Sequence, residues 1–84
     1  MFAVGDKVTI RGSDSEISPI TNIRGYAKEL RGRVGLVYRC GDLSHRYLYV
    51  FFPELPGSGF SEGHSDPMIG MCYGLYEVDL EPSP

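Results

Sequence analysis

The stretch from Gly32 to Phe52, GRVGLVYRCGDLSHRYLYVFF, constrains the fold of this chain more than any other segment. It contains two apolar runs separated by a short polar break with the pair Gly41-Asp42, which is typical of a turn. The pattern predicts a hairpin of two strands, Gly32–Cys40 and Arg46–Phe52. We expect most of the core to lie on this hairpin.

The second strand of the hairpin is apolar on both of its faces. Side chains alternate between the two faces of a strand, so every second residue shares a face. The mostly aliphatic face, which we expect to point into the core, carries Leu48, Val50 and Phe52. The aromatic face carries Tyr47, Tyr49 and Phe51. Either another part of the chain covers these aromatic side chains or they form a binding surface.

The first strand of the hairpin alternates less cleanly. In a regular strand Val34, Leu36 and Tyr38 share one face, and Gly35, Val37 and Arg39 share the other. The spacing of the glycines indicates a β-bulge that brings Val34 and Val37 to the same side.

Three further short strands are predicted, at Lys7–Arg11, Cys72–Tyr76 and Leu80-Glu81. The segment Gly25–Leu30 is long enough for one turn of helix. The segments 12–23 and 53–71 are rich in Gly, Ser and Pro and are predicted to be long loops, which Ile17 and Phe60 help to anchor. With 84 residues, 11 glycines and six prolines, the chain is predicted to be one all-β domain, residues 1–84, built as a small five-stranded barrel.

Charge is unevenly distributed along a chain whose net charge is −3. The segment 24–46 has six bases and two acids, whereas 54–84 has six acids and no Lys or Arg. An acidic chain argues against a broad nucleic-acid-binding surface, which is usually basic. Two cysteines without a C-x-x-C pair and an N-terminus without a signal pattern predict a cytoplasmic protein with reduced thiols. The longest apolar run, Tyr47–Phe52, is too short to span a membrane.

Short motifs in the chain resemble those of small SH3-like barrels of the KOW and Tudor type. They are an opening V-G-D-K-V, a central G-R-V-G-x-V, a strand of L-x-V-x-F type and a closing E-V-D-L-E-P. The matching residues are Val4–Val8, Gly32–Val37, Leu48, Val50, Phe52 and Glu77–Pro82. The long Gly/Pro loop before the D-L-E-P end is also similar to small accessory proteins of bacteriophages. The resemblance implies an SH3-like barrel, and the phage likeness implies an accessory factor that acts on a host protein in the host cytoplasm.

The chain departs from two branches of the barrels that it resembles. It has neither the A-L-Y-D-Y motif nor the Trp of the SH3 domains that bind proline-rich peptides. It is acidic, whereas ribosomal KOW proteins are usually strongly basic. The resemblance therefore implies the fold and does not by itself carry over a proline-rich or RNA ligand.

The aromatic face and its flanking arginines are the candidate partner-binding site. Aromatic side chains on a sheet can stack on bases or anchor a protein interface. Arginines beside them can bind an acidic protein surface or phosphate, or they can be a solvated edge that discourages aggregation. The candidate site residues are Tyr38, Arg39, Arg46, Tyr47, Tyr49, Phe51 and Phe60.

Two other groups have residue types that could carry chemistry. Cys40, His45, His64 and Cys72 are possible zinc ligands by type, but their spacing matches no zinc module. They would converge if the loop near His64 folded over the turn at 40–45; otherwise the cysteines are small buried hydrophobes. The neighbours Ser44 and His45 point to opposite faces of a strand, which excludes a catalytic triad with Asp42.

We therefore predict a non-enzymatic interaction module that binds a macromolecular partner, and the acidic net charge favours a protein over a nucleic acid. The alternative is a KOW-type nucleic-acid-binding module that uses the same basic and aromatic surface. No catalytic residue, metal or cofactor is predicted, and the oligomeric state is left open.

Overall fold

The computed structural model describes residues 2–12, 14–19, 25–41, 46–59 and 66–83. These residues form five strands, one short α-helix and three 3-10 helices. The strands are β1 Lys7–Ile10, β2 Gly35–Cys40, β3 Tyr47–Phe51, β4 Cys72–Tyr76 and β5 Leu80–Pro82, and helix α1 is Tyr26–Leu30. The 3-10 helices are Asp14–Glu16, Pro67–Met71 and Glu77–Asp79. Within the described ranges, no helix has the length and apolar character that crossing a bilayer requires.

All five strands belong to one antiparallel sheet with the order β4-β3-β2-β1-β5. The predicted hairpin forms its centre, since β2 pairs with β3 from Leu36↔Phe51 to Cys40↔Leu48. The first and last strands of the chain also pair, with Ile10 opposite Leu80. The prediction of a small all-β domain with five strands is confirmed.

The core lies on one side of the sheet and follows the alternation of its strands. Leu48, Val50 and Phe52 are all essentially inaccessible to solvent, as their aliphatic pattern predicts. Helix α1 covers this side with Tyr26, Ala27 and Leu30. The other main members of the core are Val8, Ile10, Ile17, Val37, Tyr73, Leu75 and Leu80.

Aromatic rings join the helix to the sheet inside the core. Tyr73 lies between Tyr26 and Phe52, with ring centroids 5.0 and 5.8 Å away and edge-to-face orientations. Burial is the main cause that raises the pKa of the Tyr73 phenol. Such rings contribute a large buried area, which an 84-residue domain needs because small domains bury a low fraction of their surface.

Strand β2 differs from the prediction in its bulge and in the face it buries. The register shifts between Val37 and Arg39, so the bulge lies at Tyr38 and not near Gly35. Val37 is buried, whereas Val34 and Leu36 are exposed, so the predicted pairing of Val34 with Val37 on one side is wrong. A Cβ added at Gly35 would lie 2.6 Å from Val50 Cγ1, which shows that Gly35 faces the core.

Two connections pack onto the sheet by specific contacts. Ser18 donates from its N–H and its Oγ to the buried carboxylate of Asp79, at 2.8 and 2.7 Å, which holds the segment 14–19 in place. Ile17 is buried in the core beside it, as predicted. The backbone N–H of Ser58 donates to the Cys72 carbonyl at 3.1 Å, so residues 57–59 continue the hydrogen bonding past β4.

A candidate partner-binding surface

The side of β2, β3 and β4 that is turned away from the core forms one continuous surface, here called the outer face. The register places Phe51 between Leu36 and Cys72, and Tyr49 between Arg39 and Gly74. Tyr47 is opposite Tyr76 at the end of the sheet. Tyr47, Tyr49 and Phe51 are half-buried, so the aromatic face of β3 is neither fully covered nor fully open.

Three tyrosines on β3 and β4, Tyr47, Tyr49 and Tyr76, form what we call the tyrosine cluster. The Tyr47 ring lies 5.5 Å from Tyr49 and 5.3 Å from Tyr76, centroid to centroid, with interplanar angles of 83° and 79°. Gly74 makes room for this arrangement, because a Cβ there would lie 2.5 Å from Tyr47 Cζ. Edge-to-face contacts of this kind hold the rings in place.

The opposite end of the outer face is tied to the segment before β4. Tyr38 Oη donates to Asp66 Oδ2 at 2.6 Å, and Asp66 Oδ1 accepts the N–H of Met68 at 2.9 Å. The hydrogen bond to the carboxylate, with burial adding to it, raises the pKa of the Tyr38 phenol. Asp66 therefore caps the 3-10 helix Pro67–Met71 and attaches it to β2.

Cys72 lies on the side of the sheet that forms the outer face, but at this attached end its side chain is fully buried. Burial, with the charge of Asp66 second, raises the pKa of the Cys72 thiol. A raised pKa keeps the thiol protonated and opposes nucleophilic reactivity. At the Cys72 end of the outer face, another segment of the chain therefore covers the sheet, which is one of the two alternatives that the sequence left open for the aromatic face.

An apolar row runs across the outer face next to Cys72. Phe51 is half-buried, and its neighbour Leu36 is 38% exposed. Met68 and Met71, in the 3-10 helix that leads into β4, are also exposed. On the far side of Leu36 the row ends at Lys7 of β1. Lys7 is exposed and is the cross-strand partner of Leu36.

Arg46 is bound to a carboxylate and does not extend freely toward the outer face. Its Nε and Nη2 donate to Glu77 Oε1 and Oε2 at 3.1 and 2.6 Å, and its carbonyl accepts the Glu77 N–H at 2.9 Å. Glu77 Oε2 also accepts the N–H of Phe2 at 2.8 Å. These contacts, the one from Arg46 above all, lower the pKa of Glu77 from 4.5 to about 2. The pair ties the start of β3 to the residue after β4.

Arg39 stands out among the arginines near this surface. Arg31 Nη1 donates to the Gly12 carbonyl, and Arg33 lies 3.9 Å from the exposed carboxylate of Glu54. Arg39 is exposed beside Tyr49 and makes no hydrogen bond or ion pair with the side chains that the structure describes. A cation next to tyrosine rings, without a carboxylate to neutralise it, is suited to bind an anionic group.

The predicted site residues are therefore only partly brought together. Tyr38, Arg39, Tyr47, Tyr49 and Phe51 share the outer face. Arg46 lies at its border and is paired with Glu77, and Phe60 lies outside the described residues.

Sequence reasoning missed Tyr76, Leu36 and Lys7 as members of the surface. The alternation of CYGLY in β4 places Tyr76 and Gly74 on one side and could have revealed Tyr76. Leu36 shares a face with Tyr38 in a regular strand and could have been found in the same way. Lys7 depends on the register between strands that are distant in sequence, for which no local signal exists.

The cysteines do not come together into a common site. Cys40 is opposite Leu48 and packs against the core, whereas Cys72 is opposite Phe51 on the outer face. His45 and His64 lie outside the described residues, as do Asp42 and Ser44. In the ranges that are described, no three His, Cys, Asp or Glu side chains are grouped as metal ligands would be.

An open cleft of about 590 Å³ lies beside β1 and β5. Its lining consists of Phe2, Asp6, Lys7, Leu80, Pro82 and Ser83. The Asp6 carboxylate accepts the N–H of Ala3 at 2.8 Å, a hydrogen bond within the turn that precedes β1. The cleft is separated from the tyrosine cluster by β2.

The chain was also compared with known proteins. No protein-family model, no curated protein and no solved structure matches it at a significant level.

Proposed function

We propose that this chain is a non-enzymatic interaction domain that binds a protein partner through its outer face. The observation that carries the proposal is the tyrosine cluster beside Arg39. Three half-buried rings pack edge to face, and the neighbouring guanidinium of Arg39 has no carboxylate partner among the described residues. Tyrosine and arginine are the residue types in which binding energy is most often concentrated at protein interfaces.

The state of the tyrosine rings supports this role. A side chain that must be ordered on binding costs about 0.5–1.5 kcal/mol of entropy. Edge-to-face contacts already restrict Tyr47, Tyr49 and Tyr76 before a partner arrives. A partner therefore meets a surface that is arranged in advance, and the ordering cost of these three side chains is reduced.

The charges favour a protein over a nucleic acid. A nucleic-acid binder gains most of its affinity from several cations that neutralise phosphates. Here Arg46 is neutralised by Glu77 and Arg33 faces Glu54, so few arginines near the outer face are available. The chain as a whole has a net charge of −3 and repels a polyanion.

The fold proposed for this function is an SH3-like barrel. The pairing of β1 with β5 supports it, because it brings the first and last described strands side by side in one five-stranded antiparallel sheet. The 3-10 helix Glu77–Asp79 makes the corner between β4 and β5. An accessory factor of a bacteriophage, acting on a host protein in the cytoplasm, remains part of the proposal through the resemblance of the motifs alone.

Affinity capture with matched variants tests the proposal. The immobilised domain is exposed to a lysate of the cells in which it is naturally produced, and a captured protein is purified and titrated. We expect Tyr49→Ala and Tyr76→Ala each to weaken binding about 30-fold or more, the loss typical of an interface anchor. Val4→Ala is the control, since Val4 is an exposed apolar residue outside the outer face.

A second variant alters the surface without removing a ring. Gly74→Ala forces Tyr47 to move, because the new Cβ would lie 2.5 Å from Tyr47 Cζ, and we expect weaker binding with the fold retained. If both tyrosine variants bind as the unchanged protein does, the outer face is not the binding surface. Retention of RNA or DNA at low salt, lost when salt is raised, would instead support the nucleic-acid alternative.

A further inference from the structure

Two cations, one on the outer face and one beside it, form no ion pair with the part of the chain that the structure describes. Arg39 and Lys7 are exposed, and neither forms an ion pair with the described residues. Two carboxylates near the face, Asp66 and Glu77, are occupied, since Asp66 accepts from Tyr38 and Met68, and Glu77 accepts from Arg46. Arg39 and Lys7 therefore keep their positive charges close to Leu36, in a chain whose net charge is −3.

The two cations are placed on either side of an apolar side chain. Lys7 is opposite Leu36 on the neighbouring strand, and Arg39 lies further along the strand of Leu36, past the bulge. Spacings of about 3.3 Å per residue along a strand and about 4.8 Å between strands put their Cα atoms roughly 10 Å apart. Leu36, 38% exposed, lies next to Phe51 in the same region.

We infer that the segment of the partner that binds here is an extended acidic stretch with an apolar side chain between two carboxylates. The inference rests on the proposed function and names the chemistry of its partner. In an extended chain the side chains i, i+2 and i+4 point the same way and span roughly 13 Å. The long side chains of Lys7 and Arg39 reach across the difference between this span and the roughly 10 Å between their Cα atoms. The central apolar residue of the segment then contacts Leu36 and Phe51.

This arrangement assigns a separate role to each part of the outer face. Arg39 forms a two-pronged hydrogen-bonded pair with one carboxylate, a geometry for which its planar guanidinium is suited. Lys7 provides a point charge for the other carboxylate of the partner segment. Lys7 also borders the cleft beside β5. Repulsion between positively charged segments and these two side chains selects against basic partners.

Defined peptides test the inference directly. The uniformly nitrogen-15-labelled domain is titrated with the peptide acetyl-Gly-Glu-Thr-Leu-Thr-Glu-Gly-amide, and its amide signals are followed by NMR. We expect progressive shifts at Leu36, Arg39 and Phe51 that weaken as salt is added. The same peptide with Gln in place of both Glu residues should produce shifts that are several-fold smaller at equal concentration. Equal shifts with the Gln peptide, or no shifts at these residues with the Glu peptide, would overturn the inference.

Charge reversal tests it on the full protein partner. We expect Arg39→Glu and Lys7→Glu each to weaken binding of the captured protein about tenfold. Lys28→Glu is the matched control, since it makes the same charge change on helix α1, on the core side of the sheet. If binding is lost in Tyr49→Ala but unchanged in both reversals, the acidic partner is wrong while the binding surface stands. If Tyr49→Ala has no effect either, the proposed function itself fails.

Discussion

Gly35→Ala is the change that tests the packing beneath the central hairpin most directly. Gly35 begins β2 and faces the core, where an added Cβ would lie 2.6 Å from Val50 Cγ1 and 2.8 Å from Phe52 Cζ. Both neighbours are fully buried, so neither can turn toward solvent to relieve the contact. Either the strands must separate slightly or the two side chains must leave their preferred rotamers.

Two opposing effects determine the size of the change. Overpacking a well-filled core costs about 1–3 kcal/mol. Replacing glycine by alanine where the backbone is compatible returns about 0.4–1 kcal/mol, because the unfolded chain loses freedom. We therefore expect a net loss of about 1–2 kcal/mol. A domain of this length has a free energy of unfolding of about 4–13 kcal/mol, so it should stay folded and melt about 5–15 °C lower.

Urea and thermal unfolding followed by circular dichroism measure this loss, and a double-mutant cycle assigns its cause. Val50→Ala removes the Cγ1 atom that the new methyl group would meet. We therefore expect the double variant to be more stable than the sum of the two single losses predicts, by about 1 kcal/mol. If the two losses add within about 0.5 kcal/mol, or if Gly35→Ala is stabilising, the contact inferred here is wrong.

Two further changes test the contacts that hold the connections. Asp79→Ala should cost about 2–3 kcal/mol in urea unfolding, since it removes both hydrogen bonds from Ser18, and Asp79→Asn should cost less; equal losses would contradict this. Glu77 has its pKa lowered to about 2, mainly by Arg46, so the pair stabilises the fold above pH 4.5 and is lost as the pH falls toward 2. Between about pH 6 and pH 3, the Glu77→Gln variant should lose less stability than the unchanged protein. The control variant Glu81→Gln, at an exposed residue, should lose as much stability as the unchanged protein.

The arginines show how tertiary contacts divide residues that look equivalent in the sequence. Arg39 and Arg46 flank the same polar break and have the same chemistry. Arg46 meets Glu77 and becomes part of the fold, while Arg39 faces outward beside Tyr49. Removing Arg46 should therefore act mainly on stability and removing Arg39 mainly on binding, which makes the two a useful pair in any capture experiment.

Much of the fold could be predicted from local pattern. The alternation of YLYVF identified a strand with Leu48 and Val50 inward and the tyrosines outward, because a strand repeats every two residues whatever its partners are. The same holds for KVTI in β1 and for CYGLY in β4. Strand β2 was predicted less well, because the apolar residues of GLVY lie on both faces of the strand and either face could have been the buried one.

The candidate site could be predicted only in part. The aromatic side of β3 follows from alternation, and with it Tyr47, Tyr49 and Phe51. Which end of that side is covered could not be predicted, because it depends on the hydrogen bond between Tyr38 and Asp66, 28 residues apart in the chain. Glu77 and Arg46, 31 residues apart, form their pair for the same reason.

The sequence by itself determined that the chain is built of short strands, which side of β3 is buried, and that the other side of β3 is aromatic. These properties depend on the period of a strand and on the apolar character of each residue, which are local. The tertiary structure decided the register, the position of the bulge, the cover over Cys72 and the separation of Arg39 from Arg46. Those features depend on contacts between distant segments, whose energies balance only when the whole sheet has formed around its core.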